Sequence, residues 1–155
     1  MRNRQTVLTL AAVLLLAGSA ALAQTTDDLN NDGRNTDNVL TYGMGYHQQR
    51  YSRLKEINKN TVKRLVPVWS LSLDNQWGEQ AQPIIHDGVM YVTSAWSILH
   101  AIDAKTGTAL WVYDPKVDRA VGPKACCDVV NRGVAVYDGK VFVGVIDGRL
   151  IAVDA

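Results

Sequence analysis

Short apolar runs recur along the second half of the chain, and an Asp-Gly pair precedes two of them. Asp87-Gly88 stands before Val89–Thr93, and Asp138-Gly139 stands before Lys140–Gly144; both runs are rich in β-branched and aromatic residues. Runs of about five such residues bounded by turn residues are typical of β-strands. Because Asp-Gly is favoured in tight hairpin turns, each pair predicts a turn that leads into a strand.

The two stretches belong to an internal repeat. Asp87–Ala104 aligns with Asp138–Ala155 without a gap, and both end on an Asp-Ala pair. A second apolar run follows the first in each copy, at Leu99–Ile102 and at Leu150–Val153. Each copy therefore predicts an antiparallel hairpin.

The first copy continues through a Thr106-Gly107 turn into a further predicted strand, Ala109–Tyr113, and a more degraded copy spans Ile57–Trp69. Four-stranded units of roughly 40–50 residues are the blades of β-propellers. The sequence thus predicts an all-β protein, a β-propeller, of which this chain holds about the first two to three blades. Because a ring needs at least about four blades to close, we expect residues 24–155 to be the N-terminal part of a propeller domain, truncated inside a repeat.

Residues 1–23 have the pattern of a secretory signal peptide. Arg2 and Arg4 form a basic start, residues 7–17 are apolar, and Ala21-Leu22-Ala23 is a small-residue cleavage site. The apolar run is shorter than the about 20 residues of a membrane span, so no membrane span is expected. We expect cleavage after Ala23 and a periplasmic location.

The charge balance argues against nucleic acid as a partner. The whole chain has a formal net charge of +1, and two of its arginines lie in the predicted signal peptide. Proteins that bind nucleic acid present a basic face that neutralises phosphates. A nearly neutral mature chain has no such excess.

Cys126 and Cys127 are the two cysteines of the chain and are adjacent. Consecutive α-carbons lie about 3.8 Å apart, which is below the usual disulfide range of roughly 4.4–6.8 Å, so a bond between them would close a strained ring. Such strain concentrates at functional sites. Two states are open, a vicinal disulfide and a pair of reduced thiols, and export to an oxidising compartment favours the disulfide.

Two motifs resemble those of a known family, the quinoprotein alcohol dehydrogenases that use pyrroloquinoline quinone (PQQ). Ala101-x-Asp103-x-x-Thr106-Gly107-x-x-x-Trp111 resembles their tryptophan-docking repeat. The segment 126–133, Cys-Cys-Asp-Val-Val-Asn-Arg-Gly, is similar to the vicinal-disulfide segment of the methanol and ethanol dehydrogenases. The lead-in at residues 42–58 also resembles their N-terminal segment.

The resemblance implies an eight-bladed propeller in which the flat quinone lies near the axis. It further implies that Cys126 and Cys127 cover one face of the quinone as a disulfide, and that Arg132 binds one of its three carboxylates. Glu79 matches the family glutamate that contacts the cofactor. Trp111 is expected to dock between blades, whereas the three other tryptophans, Trp69, Trp77 and Trp96, are interpreted as packing residues.

The same resemblance implies an activity, the oxidation of small primary alcohols with PQQ, with electrons passing to a cytochrome c. The Ca²⁺ or lanthanide ligands and the catalytic base of the family lie beyond Ala155, so no catalytic or metal-binding residue is assigned. Two alternatives are a non-catalytic scaffold propeller of the outer-membrane assembly type and an inert truncated remnant. The Cys-Cys-x-x-x-x-Arg segment disfavours the scaffold, because a scaffold has no planar cofactor to cover.

Overall fold

A computed structural model describes residues 24–155, and the predicted signal peptide with its cleavage after Ala23 lies outside the described residues. The α-helix and the strands, in chain order, are α1 (Thr26–Asn30), β1 (Ile84–His86), β2 (Val89–Thr93), β3 (Leu99–Asp103), β4 (Ala109–Tyr113), β5 (Ala135–Tyr137), β6 (Lys140–Gly144) and β7 (Leu150–Asp154). Short 3₁₀ helices lie between them at Asp32–Arg34, Val62–Arg64, Ala95–Ser97 and Arg119–Lys124. In the described part of the chain, no helix has the length and apolar character needed to cross a membrane.

The strands form two antiparallel sheets. The first has four strands in the order β1-β2-β3-β4, and the second has three in the order β5-β6-β7. The predicted strands are confirmed, with β3 and β7 each ending one residue later than expected. The Asp-Gly turns are confirmed too: φ is 48° and 78° at Asp87 and Gly88, and 47° and 69° at Asp138 and Gly139, the positive values of a hairpin turn.

The two sheets pack together through two apolar clusters. One cluster joins Ile84, Tyr91, Leu99 and Ala101 of the first sheet to Val136 and Val141 of the second. The other joins Ala95 and Trp96, which follow β2, to Val129, Val143 and Val145 around the second sheet, with Val117. This packing fixes the loop between β4 and β5, which carries both cysteines, against the turn that connects β2 to β3.

Residues 57–69, the predicted degraded copy, contain bends and turns at 57–61, the 3₁₀ helix Val62–Arg64 and then irregular chain, and none of them pairs as a strand within the described residues. Several of its apolar side chains are exposed, including Val66 and Val68 at 70% and 84%. The described residues therefore contain two sheets, at the lower end of the predicted two to three blades.

The Asp103-Thr106-Gly107 motif builds a tight turn between β3 and β4. The Asp103 carboxylate accepts the backbone N–H groups of Lys105 and Thr106 at 2.9 and 2.8 Å. Hydrogen bonds from Thr106 are the main cause that lowers the pKa of Asp103 below its ordinary value. Gly107 then takes a positive φ of 74°, a conformation that glycine adopts without steric cost.

Trp69 docks on this turn, whereas the sequence interprets Trp69 as a packing residue and expects Trp111 to dock between blades. A methyl group on the α-carbon of Gly107 would lie 2.5 Å from Cδ2 of Trp69, so the indole ring covers the bare glycine. Its Nε1 donates to the Ala104 carbonyl at 3.2 Å. Trp111 packs against Tyr91, with ring centroids 6.1 Å apart, at the edge of the cluster that the two sheets share.

Replacing Gly107 with Ala is expected to destabilise the protein by about 1–3 kcal/mol, because the new methyl group meets the Trp69 ring and the positive φ is strained. Gly88→Ala is the matched control: its φ is also positive, at 78°, but nothing lies within 4 Å of the added carbon. Urea unfolding of both variants measures the difference. Equal losses of unfolding free energy would show that the docking of Trp69 contributes nothing.

Candidate cofactor-binding site

The adjacent cysteines form a disulfide at the surface. Cys126 and Cys127 are bonded to each other, with their α-carbons 3.8 Å apart, which confirms the bridged state. Both residues are exposed, and neither belongs to an apolar cluster. The disulfide therefore presents its face outward, where a ligand can reach it.

The loop around the disulfide is fixed from both sides. Before it, the 3₁₀ helix Arg119–Lys124 is capped by Asp118, whose carboxylate accepts the Ala120 N–H at 2.9 Å. After it, the Val129 carbonyl accepts the Trp96 N–H at 2.9 Å. Gly122 packs so closely on the Trp96 ring that an added methyl group would lie 2.8 Å from Cη2.

Arg132 lies on the same loop, five residues after Cys127. Its side chain is exposed, and its guanidinium makes no hydrogen bond or ion pair with any residue of the described chain 24–155. Its carbonyl accepts the Gln82 N–H at 3.4 Å. Gly133 has a φ of 121°, and a methyl group there would lie 2.8 Å from the Gln82 carbonyl oxygen. The backbone of Arg132 is thus held while its cationic end is available.

The structure brings the Glu79 segment beside this loop. A methyl group on Gly78 would lie 3.5 Å from Cγ1 of Val130. Oε1 of Glu79 accepts the Ala95 N–H at 3.2 Å and also the Asn75 carboxamide. One carboxylate oxygen remains to accept a hydrogen bond from a ligand. All four predicted site residues, Glu79, Cys126, Cys127 and Arg132, therefore lie on two neighbouring segments.

Burial determines the protonation state of His100, the histidine whose pKa the Glu79 charge affects. His100 on β3 is buried, and its Nε2 lies 2.9 Å from Oγ of the buried Ser94. Desolvation lowers the pKa of His100 below its ordinary value, and the nearby Glu79 charge opposes that shift in part. The imidazole is therefore neutral at pH 7 and serves Ser94 as a hydrogen-bond partner.

A cavity of about 800 Å³ opens beside the disulfide loop. Trp77 and Trp96 meet edge to face in its wall, with ring centroids 5.9 Å apart. The Arg119 guanidinium lies 4.1 Å above the Trp96 ring centroid. The lining of this cavity includes Arg119, which the sequence does not single out, but it does not include the four predicted site residues.

Sequence reasoning also missed Asn131, which lies between the disulfide and Arg132. Its carboxamide bonds to Thr93 at 3.0 Å, to Ser97 at 3.0 Å, to the Gly144 carbonyl at 2.8 Å and to the Gly133 N–H at 3.0 Å. The available signal was its position inside the cysteine motif. Within residues 24–155, no group of three or more His, Cys, Asp or Glu side chains is placed to hold a metal ion.

Comparison with known proteins decides the family. The model of the family described as "PQQ: Glucose/ethanol/alcohol dehydrogenase, beta-propeller domain" matches residues 40–155, which is more than half of the chain. The chain belongs to this family. The β-propeller fold inferred from the repeats is thereby confirmed, and the two sheets are parts of that propeller.

The chain is similar to several alcohol dehydrogenases over most of its own length. It is 49% identical to quinohemoprotein alcohol dehydrogenase of Comamonas testosteroni over 141 residues, 90% of this chain and 20% of that protein. It is 55% identical to 1-butanol dehydrogenase (cytochrome c) of Thauera butanivorans over 115 residues, 74% of this chain and 17% of that protein. The chain thus spans about a fifth of the length of these relatives.

Superposition on solved structures also places the chain among these dehydrogenases. The crystal structure of the Comamonas testosteroni enzyme superposes with a TM-score of 0.81 at 49% identity, covering 85% of this chain and 20% of that one. A europium-containing methanol dehydrogenase superposes with a TM-score of 0.77 at 36% identity, covering 83% of this chain and 23% of that one.

The residues present fit a flat, anionic cofactor. The exposed disulfide offers a rigid surface, and the guanidinium of Arg132, which has no partner within residues 24–155, offers a planar set of donors that matches a carboxylate. Both lie on one anchored loop, five residues apart.

Proposed function

We propose that the full-length protein is a periplasmic quinoprotein dehydrogenase that oxidises small primary alcohols with PQQ and passes electrons to a cytochrome c. The observation that carries the proposal is the outward-facing Cys126–Cys127 disulfide with the available Arg132 guanidinium on the same loop. A scaffold propeller binds no planar cofactor, so it does not account for this pair. An inert truncated remnant is the alternative that measured activity would exclude.

In this proposal each side chain has a separate role toward PQQ. The disulfide covers one face of the ring system, since adjacent bridged residues cannot swing away. Arg132 binds one carboxylate with two parallel N–H donors. Glu79, held by the Ala95 N–H, accepts a hydrogen bond from the cofactor. When bound, PQQ supplies the acceptor for the electrons and the hydrogen that leave the alcohol.

The proposed metal ion and the proposed electron acceptor are supported by related proteins. A similar structure is a europium-containing methanol dehydrogenase, which supports a lanthanide as the metal ion, whereas Ca²⁺ rests on the resemblance of the sequence motifs. A relative whose name includes cytochrome c supports that class of acceptor. The predicted signal peptide supports a periplasmic location, where such acceptors and disulfides occur.

The test uses the product of the complete gene, purified without PQQ and then loaded with PQQ and either Ca²⁺ or a lanthanide. Cytochrome c reduction is followed spectroscopically with a series of primary alcohols and without alcohol. We expect alcohol-dependent reduction only when both PQQ and a metal ion are present. Stoichiometric PQQ binding without any alcohol-dependent reduction, with either metal, would contradict the activity; no PQQ binding would contradict the site itself.

A further inference from the structure

We infer that Asn131 is the positioning residue for Arg132: its carboxamide sets the direction in which the guanidinium meets the cofactor. This inference rests on the proposed function, because it concerns the binding of PQQ. Asn131 itself does not touch the ligand, and its effect passes through the next residue.

The carboxamide of Asn131 has every hydrogen-bonding position filled. Its oxygen accepts from the Thr93 hydroxyl and from the Gly133 N–H, both at 3.0 Å. Its nitrogen donates to the Ser97 hydroxyl at 3.0 Å and to the Gly144 carbonyl at 2.8 Å. A carboxamide has two donor hydrogens and two acceptor lone pairs, so nothing is left for a ligand. This leaves Asn131 no hydrogen bond to make with the cofactor.

These four bonds join three separate parts of the fold. Thr93 ends β2, Ser97 belongs to the turn after it, and Gly144 ends β6 in the other sheet. Thr93 and Ser97 are fully buried, and the Ser97 hydroxyl also accepts the Ile146 N–H at 3.3 Å. Asn131 therefore connects the two sheets through hydrogen bonds, and both sheets determine the orientation of its carboxamide.

The Asn131 side chain is hydrogen-bonded to the backbone next to Arg132. The Asn131 oxygen holds the N–H of Gly133, the residue after Arg132, while Gln82 donates to the Arg132 carbonyl at 3.4 Å. Both hydrogen bonds are made by the peptide group that joins Arg132 to Gly133, so this peptide group is fixed although the Arg132 side chain is exposed. A fixed backbone limits where a long side chain points, and oriented groups bind with less loss of conformational entropy.

A double-mutant cycle tests whether Asn131 acts through Arg132. The full-length apo-protein is prepared as wild type, Asn131→Ala, Arg132→Ala and the double variant, and the dissociation constant for PQQ is measured by titration. We expect Asn131→Ala to weaken PQQ binding about tenfold when Arg132 is present, and less than about twofold when Arg132 is already Ala, because coupled residues are not additive. A residue that only stabilises the fold would weaken binding equally in both backgrounds.

Asn38→Ala is the matched control, because Asn38 accepts the Asp87 N–H at 3.0 Å in the turn between β1 and β2, at the opposite end of β2 from Thr93. It should leave PQQ affinity unchanged. If Asn131→Ala does not fold, Thr93→Val replaces it in the cycle; it removes the hydroxyl that donates to the Asn131 oxygen and should give about a threefold loss that disappears without Arg132.

Equal losses in both backgrounds, or no loss from Asn131→Ala, would overturn the inference. The proposed function fails in a different way. If wild type binds no PQQ, the quinone proposal is wrong; if wild type binds PQQ and Arg132→Ala binds it equally well, then the quinone proposal stands and the inference about Asn131 is overturned.

Discussion

Arg132→Ala is expected to weaken PQQ binding by about 10- to 150-fold. The guanidinium is exposed and makes no hydrogen bond within residues 24–155, so it is free to bind a carboxylate of the cofactor. Hydrogen bonds to charged groups contribute roughly 1.5–3 kcal/mol, and every 1.4 kcal/mol corresponds to about tenfold in affinity. The measurement is the PQQ dissociation constant of the full-length apo-protein, titrated at constant salt.

Two control variants separate specific binding from general charge. Lys124→Ala removes an exposed cation from the other side of the same disulfide loop and should change the affinity by less than about twofold, as a screened charge does. Arg132→Lys keeps the charge without the planar fork and should give an intermediate loss. An Arg132→Ala affinity equal to that of Lys124→Ala would refute the role of Arg132.

Breaking the disulfide is expected to impair cofactor use far more than folding. The bond closes a ring between adjacent residues, so it removes little entropy from the unfolded chain. Both cysteines are exposed and lie outside the two apolar clusters. Replacing both with Ser should therefore change the unfolding free energy by less than about 0.5 kcal/mol. PQQ retention or alcohol-dependent cytochrome c reduction should fall at least about tenfold, which corresponds to about 1.4 kcal/mol.

Reduced wild type provides an independent comparison. Reductant must be removed before PQQ is added, since it would otherwise react with the quinone. The reduced protein should behave like the Ser variant, and the Ser variant should not respond to the same treatment. Full PQQ retention together with undiminished activity in both would show that the disulfide has no part in cofactor function.

The hairpins could be predicted from the sequence because their determinants are local. An Asp-Gly pair specifies a turn with positive φ at both residues, and β-branched runs on either side of the connecting turn specify paired strands. The prediction for residues 57–69 was less successful. A strand needs a hydrogen-bonded neighbour, and the described residues supply none for this segment, so several of its apolar side chains lie exposed.

The site could be predicted from the sequence only where its residues lie together in one motif. Cys126, Cys127 and Arg132 share a loop, so the motif alone brings them together. Asn131 joins the ends of β2 and β6, and Trp69 covers Gly107, far along the chain. Such contacts depend on how the sheets pack, and neither side chain has a local pattern that reveals its partner.

The most direct test of the account is a crystal structure of the full-length protein loaded with PQQ. The account predicts the quinone ring in van der Waals contact with the Cys126–Cys127 disulfide, at about 3.5–4.0 Å, with one carboxylate bound by Arg132. A quinone bound elsewhere, with the disulfide and Arg132 both facing solvent, would contradict it.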